Sequence, residues 1–413
     1  MQKRNNNNPG QASIENDEHS VPRYAWVILV VVFLASVAAP LNQAKIPPLM
    51  PVIMEVFQLP LGQAGWLMSV FALTGLFLSL PAGIFLQKYG PKKLGLVALA
   101  CLTLGAFIGA LSKDHGLLLF SRVIEGSGMG LIAVVAPAAI AMWFPREKQG
   151  IPMGIWATFV PVGVVIMYVL SPAMAVSHGW QSVWWLGAGF SFFMLVAYAL
   201  FVRLPPGMAA TPRQNVESST RSEIVSSLKA LNNRSIWLLG LVFACLPLIF
   251  MGLGTYYPTF LTEVRGYSLS RAAFISSIAT IMVLFSAPLA GWLSDRIGSR
   301  RLLFSIPFLG IAVMLYFPFK IIGWQIYVYM ILQGFIGGAV PAATFAAAPE
   351  IMKKSELAGL GLAVVMFGQN LGMFVGPILF GQLVENLGWV TAGYCLIPFG
   401  ILGFVVGWRL KVR

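Results

Sequence analysis

Charge is what this chain has least of. Of its 413 residues only 10% are Asp, Glu, Lys or Arg, where a soluble domain carries about 25%. That is too little to coat a water-exposed surface, so lipid must be the solvent for most of the chain. Cysteine is scarce as well. Cys101, Cys245 and Cys395 lie far apart inside apolar stretches, which predicts small core residues and no disulfide. The three histidines, His19, His115 and His178, fall outside those stretches. With no His-Glu-x-x-His run and no Cys/His cluster, there is no metalloprotease signature. No Gly-x-x-x-x-Gly-Lys-Ser/Thr loop is present, so ATP is not the direct energy source. No cofactor, no metal and no enzymatic activity are expected. The absence of any long polar stretch also counts against a membrane sensor, which would need a substantial soluble signalling domain.

What the chain does have is apolar sequence. AVILMFWYC make up 58%, and the mean hydropathy is +0.81. A spanning helix needs about 20 mostly apolar residues. Helices are predicted at 24–54, 62–86, 94–112, 117–142, 151–173, 183–202, 236–260, 271–293, 302–319, 324–349, 357–380 and 391–409. The breaks carry turn chemistry, as at Tyr89-Gly90-Pro91 and Leu204-Pro205-Pro206-Gly207. The prediction is an all-α membrane protein of twelve transmembrane helices. Residues 1–22 are polar and read as a disordered tail with no cleavable signal peptide. Six-helix bundles are expected over 23–202 and 236–413, with a linker over 203–235.

The formal charge is +13, yet the basic residues do not cluster on a soluble face as nucleic-acid binding would need. They sit in short runs between apolar stretches. With the N-terminus inside, the cytoplasmic segments hold 21 of the 27 Lys and Arg and the outer segments five, leaving Arg122 alone within a helix. That asymmetry predicts a multi-pass inner-membrane protein with both termini and the linker in the cytoplasm. Residues 222–231 are expected as a short amphipathic helix on the inner leaflet.

The halves repeat. Gly83…Gln87-Lys88-Tyr89-Gly90-Pro91-Lys92-Lys93 aligns with Gly291…Asp295-Arg296-Ile297-Gly298-Ser299-Arg300-Arg301 at an offset of 208. Glu125-Gly126 pairs with Gln333-Gly334 at the same offset, and Gly179-Trp180 with Gly388-Trp389 at 209. Secondary transporters are often built this way, with substrate held between the halves near the midplane. An offset of 210 sets Lys45 against Thr255.

The second copy, Gly291 to Arg301, resembles the cytoplasmic loop motif of the major facilitator superfamily. The resemblance covers the chain from about residue 24 onward and implies the family's twelve-helix fold. It also implies a gating clasp built from Gly83, Gly90, Lys92, Gly291, Asp295, Arg296, Gly298 and Arg300. The first copy departs from the family pattern, because Gln87 stands where an Asp is expected. Arg122-x-x-Glu125-Gly126-x-Gly128 is similar to the family's helix-4 motif, in which the Arg is associated with proton coupling. Glu125 departs from the family Gln, and a carboxylate that can take up a proton suits that role.

Arg122 and Glu125 share a helix face at i, i+3, and ionisable groups within a span usually mark function. The bland alternative is a self-neutralised structural pair. Lys45 shares a face with Ala38, Asn42 and Leu49, about 9 Å outward of mid-helix at about 1.5 Å per residue. It is either a snorkelling lysine or a partner of Arg122 in holding an anion. Asn42, Lys45, Arg122, Tyr256, Tyr257 and Gln369 are the candidate substrate residues, and Glu125 with Arg122 the candidate proton couple. For the tyrosines, cavity wall and simple packing stand equal. The Asn42-x-x-Lys45 run and Tyr256-Tyr257-Pro258 resemble the branch that includes cyanate and 2-nitroimidazole carriers. The function expected is secondary active transport of a small organic solute, read as an anion in proton symport, with proton-exchange efflux as the alternative. The partners expected are that solute, protons and the lipid bilayer, with no nucleic acid, and the chain is expected to act as a monomer.

Overall fold

The computed structural model describes residues 21–145, 148–203, 205, 232–297, 300–352 and 358–410. The tail over 1–20, most of the linker and the amphipathic segment predicted over 222–231 lie outside them.

Fourteen helices run through the described residues: α1 (Arg23–Gln43), α2 (Ile46–Phe57), α3 (Leu61–Ala64), α4 (Trp66–Ala110), α5 (His115–Ala141), α6 (Gly150–Ala157), α7 (Phe159–His178), α8 (Gln181–Phe201), α9 (Arg234–Glu263), α10 (Leu269–Ile297), α11 (Arg300–Met314), α12 (Trp324–Met352), α13 (Ala358–Cys395) and α14 (Ile397–Arg409). They make twelve spans. α1 and α2 are two halves of the first, and α6 and α7 of the fifth. α4 carries the second and third, joined at Gly90 with φ 76°. α13 carries the eleventh and turns at Gly388 with φ 77° into the twelfth, which α14 completes. Both turns need left-handed backbone, which glycine adopts without a Cβ clash.

Several boundaries differ from the sequence expectation, two of them for a clear local reason. The first span is not one continuous helix, because Pro47 and Pro48 lack the N–H groups that would hold Gln43 and Ala44 carbonyls. The helix therefore breaks at Ala44-Lys45. The ninth stops at Met314, short of 319. Beyond it, side chains hold the loop carbonyls: Tyr257 Oη donates to Pro318 O at 3.2 Å, and Arg265 Nη2 to Phe319 O and Ile321 O at 3.0 Å. The second runs on to Gly90 rather than ending at 86. In the loop after α11, Lys320 Nζ sits 3.8 Å over the Tyr316 ring. The tyrosine hydroxyl raises the lysine's pKa, and the ammonium lowers that of the tyrosine.

The pseudo-symmetry is visible in paired contacts. A Cβ on Gly126 would run into Phe71 O and Thr74, and one on Gly334 into Ala279 O and Met282, each pair at an offset of 208. Gly130 against Gly75 and Leu78 repeats as Gly338 against Val283 and Ser286. Gly179 and Gly388 share one backbone conformation. In the first and seventh spans the register corrects the sequence expectation. Gly163 abuts Val37 O and the Pro40 ring, and Gly372 abuts Ala244 O and the Pro247 ring. The offset there is 207, so Lys45 corresponds to Gly252 and not to Thr255.

Three hydrogen bonds join the halves among the described residues. Tyr256 Oη donates to Leu61 O at 2.6 Å, Gly62 N to Glu385 Oε2 at 2.8 Å, and Tyr168 Oη to Gly254 O at 3.4 Å. Gly65 abuts Pro377 O, where an added Cβ would sit at 2.6 Å. The first two bonds and the Gly65 contact lie at the end remote from the chain termini, which is therefore closed.

Candidate functional site

Lys45, Arg122 and Glu125 meet in the N-terminal half and are fully buried. Lys45 pairs with Glu125 Oε1 and Arg122 with Glu125 Oε2, so two cations share one carboxylate. This excludes a snorkelling lysine in this conformation. The helix break explains why Arg122 is there. Arg122 Nη1 donates to Asn42 O at 2.7 Å, Nη2 to Gln43 O at 3.3 Å and Nε to Leu67 O at 3.0 Å. Pro47 cannot serve Gln43 O, and a carbonyl left bare inside a membrane costs several kcal/mol. The guanidinium supplies the missing donors, and its face covers the Phe71 ring at 4.6 Å.

Asn42 organises the other side. Lys45 Nζ donates to Asn42 Oδ1 at 3.1 Å, and Asn42 Nδ2 donates to Ser191 Oγ and to Ala38 O at 2.9 Å. Lys45 Nζ lies 4.6 Å over the Trp184 ring. Glycines clear the room. A Cβ at Gly105 would stand 2.6 Å from Glu125 Cγ, one at Gly109 would enter the Trp184 ring, and one at Gly187 would enter the Asn42 amide. Trp184, Ser191 and these glycines were not legible as site residues, because aromatics and glycines in a span usually mean packing.

A cavity of about 260 Å³ lies between the halves, lined from the first half by Gln43, Ala44 and Met68 and from the second by Thr255, Tyr257 and Gln333, among others. Lys45, Arg122, Glu125 and Asn42 do not line it. They sit behind Gln43 and Ala44, at the break, and Arg122 holds the Gln43 carbonyl. Of the other predicted substrate residues, Tyr257 lines the cavity, whereas Tyr256 joins the halves and Gln369 lines no described cavity. Gln369 Oε1 is buried without a hydrogen-bond partner. In the first loop motif Gly90 is buried at its turn, Lys92 is half-buried, and a Cβ on Gly83 would meet nothing within 4 Å. In the second, Arg296 is exposed. Gly298 and the side chains of Asp295 and Arg300 lie outside the described residues, as does the packing at Gly291. No group of three or more His, Cys, Asp or Glu able to hold a metal occurs among the described residues.

The profile of the Major Facilitator Superfamily matches residues 32–331 and 284–413. The chain belongs to that superfamily. It is 26% identical over 399 residues to a Cupriavidus necator protein named "Probable sulfoacetate transporter SauU", covering 92% of this chain and 91% of the relative. It is 25% identical over 415 residues to the Salmonella typhimurium phosphoglycerate transporter protein, covering 92% and 87%. Among solved structures, an inward-facing, unoccupied bacterial homologue of the human lysosomal transporter Spinster superposes with a TM-score of 0.78. It is 16% identical and the match covers 94% of this chain and 97% of that one, which speaks for the fold. This member of the superfamily is a multi-pass membrane transporter of small solutes, not an enzyme.

Proposed function

We propose that this transporter carries a small organic anion together with protons, by alternating access of its two halves, with Glu125 as the proton carrier. The supporting observation is that one fully buried carboxylate serves two fully buried cations. Protonating Glu125 removes the only anion of the set. Lys45 and Arg122 then leave an uncompensated positive potential behind the Gln43-Ala44 wall of the cavity. An anion in the cavity is stabilised by that potential. When the anion leaves, the carboxylate charge is again needed, so proton and substrate favour each other's binding. The anionic solutes in the names of the two relatives fit this reading. Gating by the loop motif and inner-membrane residence with both termini cytoplasmic belong to the same proposal.

Glu125→Gln in proteoliposomes tests it. With a panel of labelled organic acids that includes sulfoacetate and phosphoglycerate, wild type should accumulate its substrate under an inwardly directed proton gradient. The variant should lose accumulation and keep substrate-for-substrate exchange, which needs no net proton movement. Accumulation by the variant at the wild-type level would exclude Glu125 as the carrier.

A further inference from the structure

The repeat gives the Glu125 position an uncharged copy. In the register set by the paired glycine contacts, Glu125 corresponds to Gln333 and Ala72 to Thr280. Glu125 and Ala72 do not line the cavity, whereas Gln333 and Thr280 do. These two stand side by side. A Cβ on Gly334 would sit 2.1 Å from Ala279 O, so α12 and α10 touch where Gln333 precedes Gly334 and Thr280 follows Ala279. Both side chains are half-buried, and neither is hydrogen-bonded within the described residues. The other polar groups of the wall are less available. Tyr168 donates to Gly254 O, Tyr257 to Pro318 O and Ser276 to Ala272 O. The Thr255 hydroxyl is shut off from the cavity, and Gln43 and Tyr329 each expose only 6% of their surface.

We infer that Thr280 and Gln333 are the specificity pair of this transporter and that the group they read is a hydroxyl. The substrate, an anion by the reading on which this inference rests, is then a compact hydroxylated organic acid. The placement of charge orients it. Lys45 and Arg122 belong to the first half, behind Gln43 and Ala44, and none of the described residues lining the cavity is charged. The anionic group is therefore drawn to the first-half wall, and the uncharged remainder of the ligand meets α10 and α12. Hydrogen-bonding capacity sets what that remainder carries. The Gln333 amide both donates and accepts, and so does the Thr280 hydroxyl. A ligand hydroxyl also does both, so it satisfies either side chain. A carboxylate only accepts and would leave Gln333 Oε1 unserved. An apolar body would strip water from both side chains and return nothing. The apolar part of the wall, which includes Met68, Phe250 and Met330, takes the C–H faces of such a ligand, and methionine adapts to their shape. The volume sets the size, because about 260 Å³ lies just under the range of about 300–1,000 Å³ for drug-sized ligands.

Two matched sets of probes separate hydroxyl from charge: glycerate, propionate and glycerol, and glucuronate, cyclohexanecarboxylate and glucose. Each is titrated calorimetrically into the full-length protein purified in detergent. In at least one set the hydroxy acid should bind about tenfold or more tightly than both the acid without hydroxyls and the neutral polyol. Thr280→Val and Gln333→Leu should each weaken the hydroxy acid several-fold and leave the acid without hydroxyls unchanged, with the thermal unfolding midpoint retained. Discrimination between the two acids therefore shrinks, which a loss of packing alone would not produce. If the acid without hydroxyls binds as tightly as the hydroxy acid while the polyol does not, the inference fails and the anionic reading stands. If the polyol binds as tightly as the hydroxy acid, the anionic reading fails and takes the inference with it. Binding of no probe in either set overturns the inference, and full discrimination in both variants overturns the assignment of Thr280 and Gln333.

Discussion

Removing the Glu125 carboxylate leaves two buried cations without a counter-ion. Breaking a buried ion pair by deleting one partner costs about 3–5 kcal/mol. Here the lower end is expected. Arg122 keeps three carbonyl acceptors, and Lys45 keeps Asn42 Oδ1 and the Trp184 face. Glu125→Gln should therefore destabilise the protein by about 3 kcal/mol. Lys45→Met leaves Glu125 paired with Arg122 and loses mainly a charged hydrogen bond, for about 2 kcal/mol. The double variant retains only Arg122, a cation already seated on backbone carbonyls. It should cost about 3 kcal/mol rather than the sum of about 5, a coupling of about 2 kcal/mol. Unfolding by SDS in mixed micelles, followed for wild type, both single variants and the double, measures the cycle. Costs that add to within about 0.5 kcal/mol would refute the shared-carboxylate arrangement.

Closure at the end remote from the termini depends on close backbone approach. Gly65→Ala places a Cβ 2.6 Å from Pro377 O and from Tyr256 Oη, so it should block closure and transport while leaving expression intact; normal transport would refute this. Tyr256→Phe removes the bond to Leu61 O, a loss of about 1 kcal/mol. It should raise labelling of Thr255→Cys by impermeant thiol reagents about fivefold, read in a background lacking the three native cysteines. Asn215→Cys, in the linker, should be labelled only from the cytoplasmic side; labelling from outside would reverse the proposed orientation.

The charged part of the site was legible because charge in a span is rare. Lys45, Arg122 and Glu125 stood out on composition alone, and the rise per residue placed the two cations at one depth. Which anion lies between them did not follow from spacing. A straight first helix leaves Arg122 without a reason to cross to it, and only the break at Ala44-Lys45 exposes the carbonyls that draw it there. The proline pair at 47 and 48 was visible, but its consequence depends on a donor 75 residues away in sequence. The register between the first and seventh spans went wrong by three residues for a related reason. The offsets of 208 and 209 elsewhere in the repeat do not carry over to these spans, where Pro40 and Pro247, whose glycine partners sit in other helices, fix the offset at 207. The twelve spans were legible from hydropathy, and their ends drifted where side chains, as at Tyr257 and Arg265, replace helical hydrogen bonds. The cavity was the least legible feature. Its wall mixes Met, Val, Phe and Tyr with a few Thr, Ser and Gln, residue types that a lipid-facing span also uses, and nothing in their spacing separates the two settings.

Whether Glu125 carries the proton is decided by proton movement accompanying substrate entry. Liposomes containing the protein and a trapped pH dye are given an organic acid that wild type accumulates, and the signal of protein-free liposomes is subtracted. The lumen should acidify with substrate entry in wild type, and Glu125→Gln should show no such acidification while still exchanging substrate. Substrate-dependent acidification of equal size in the variant, or substrate accumulation by wild type with no proton movement, would contradict it.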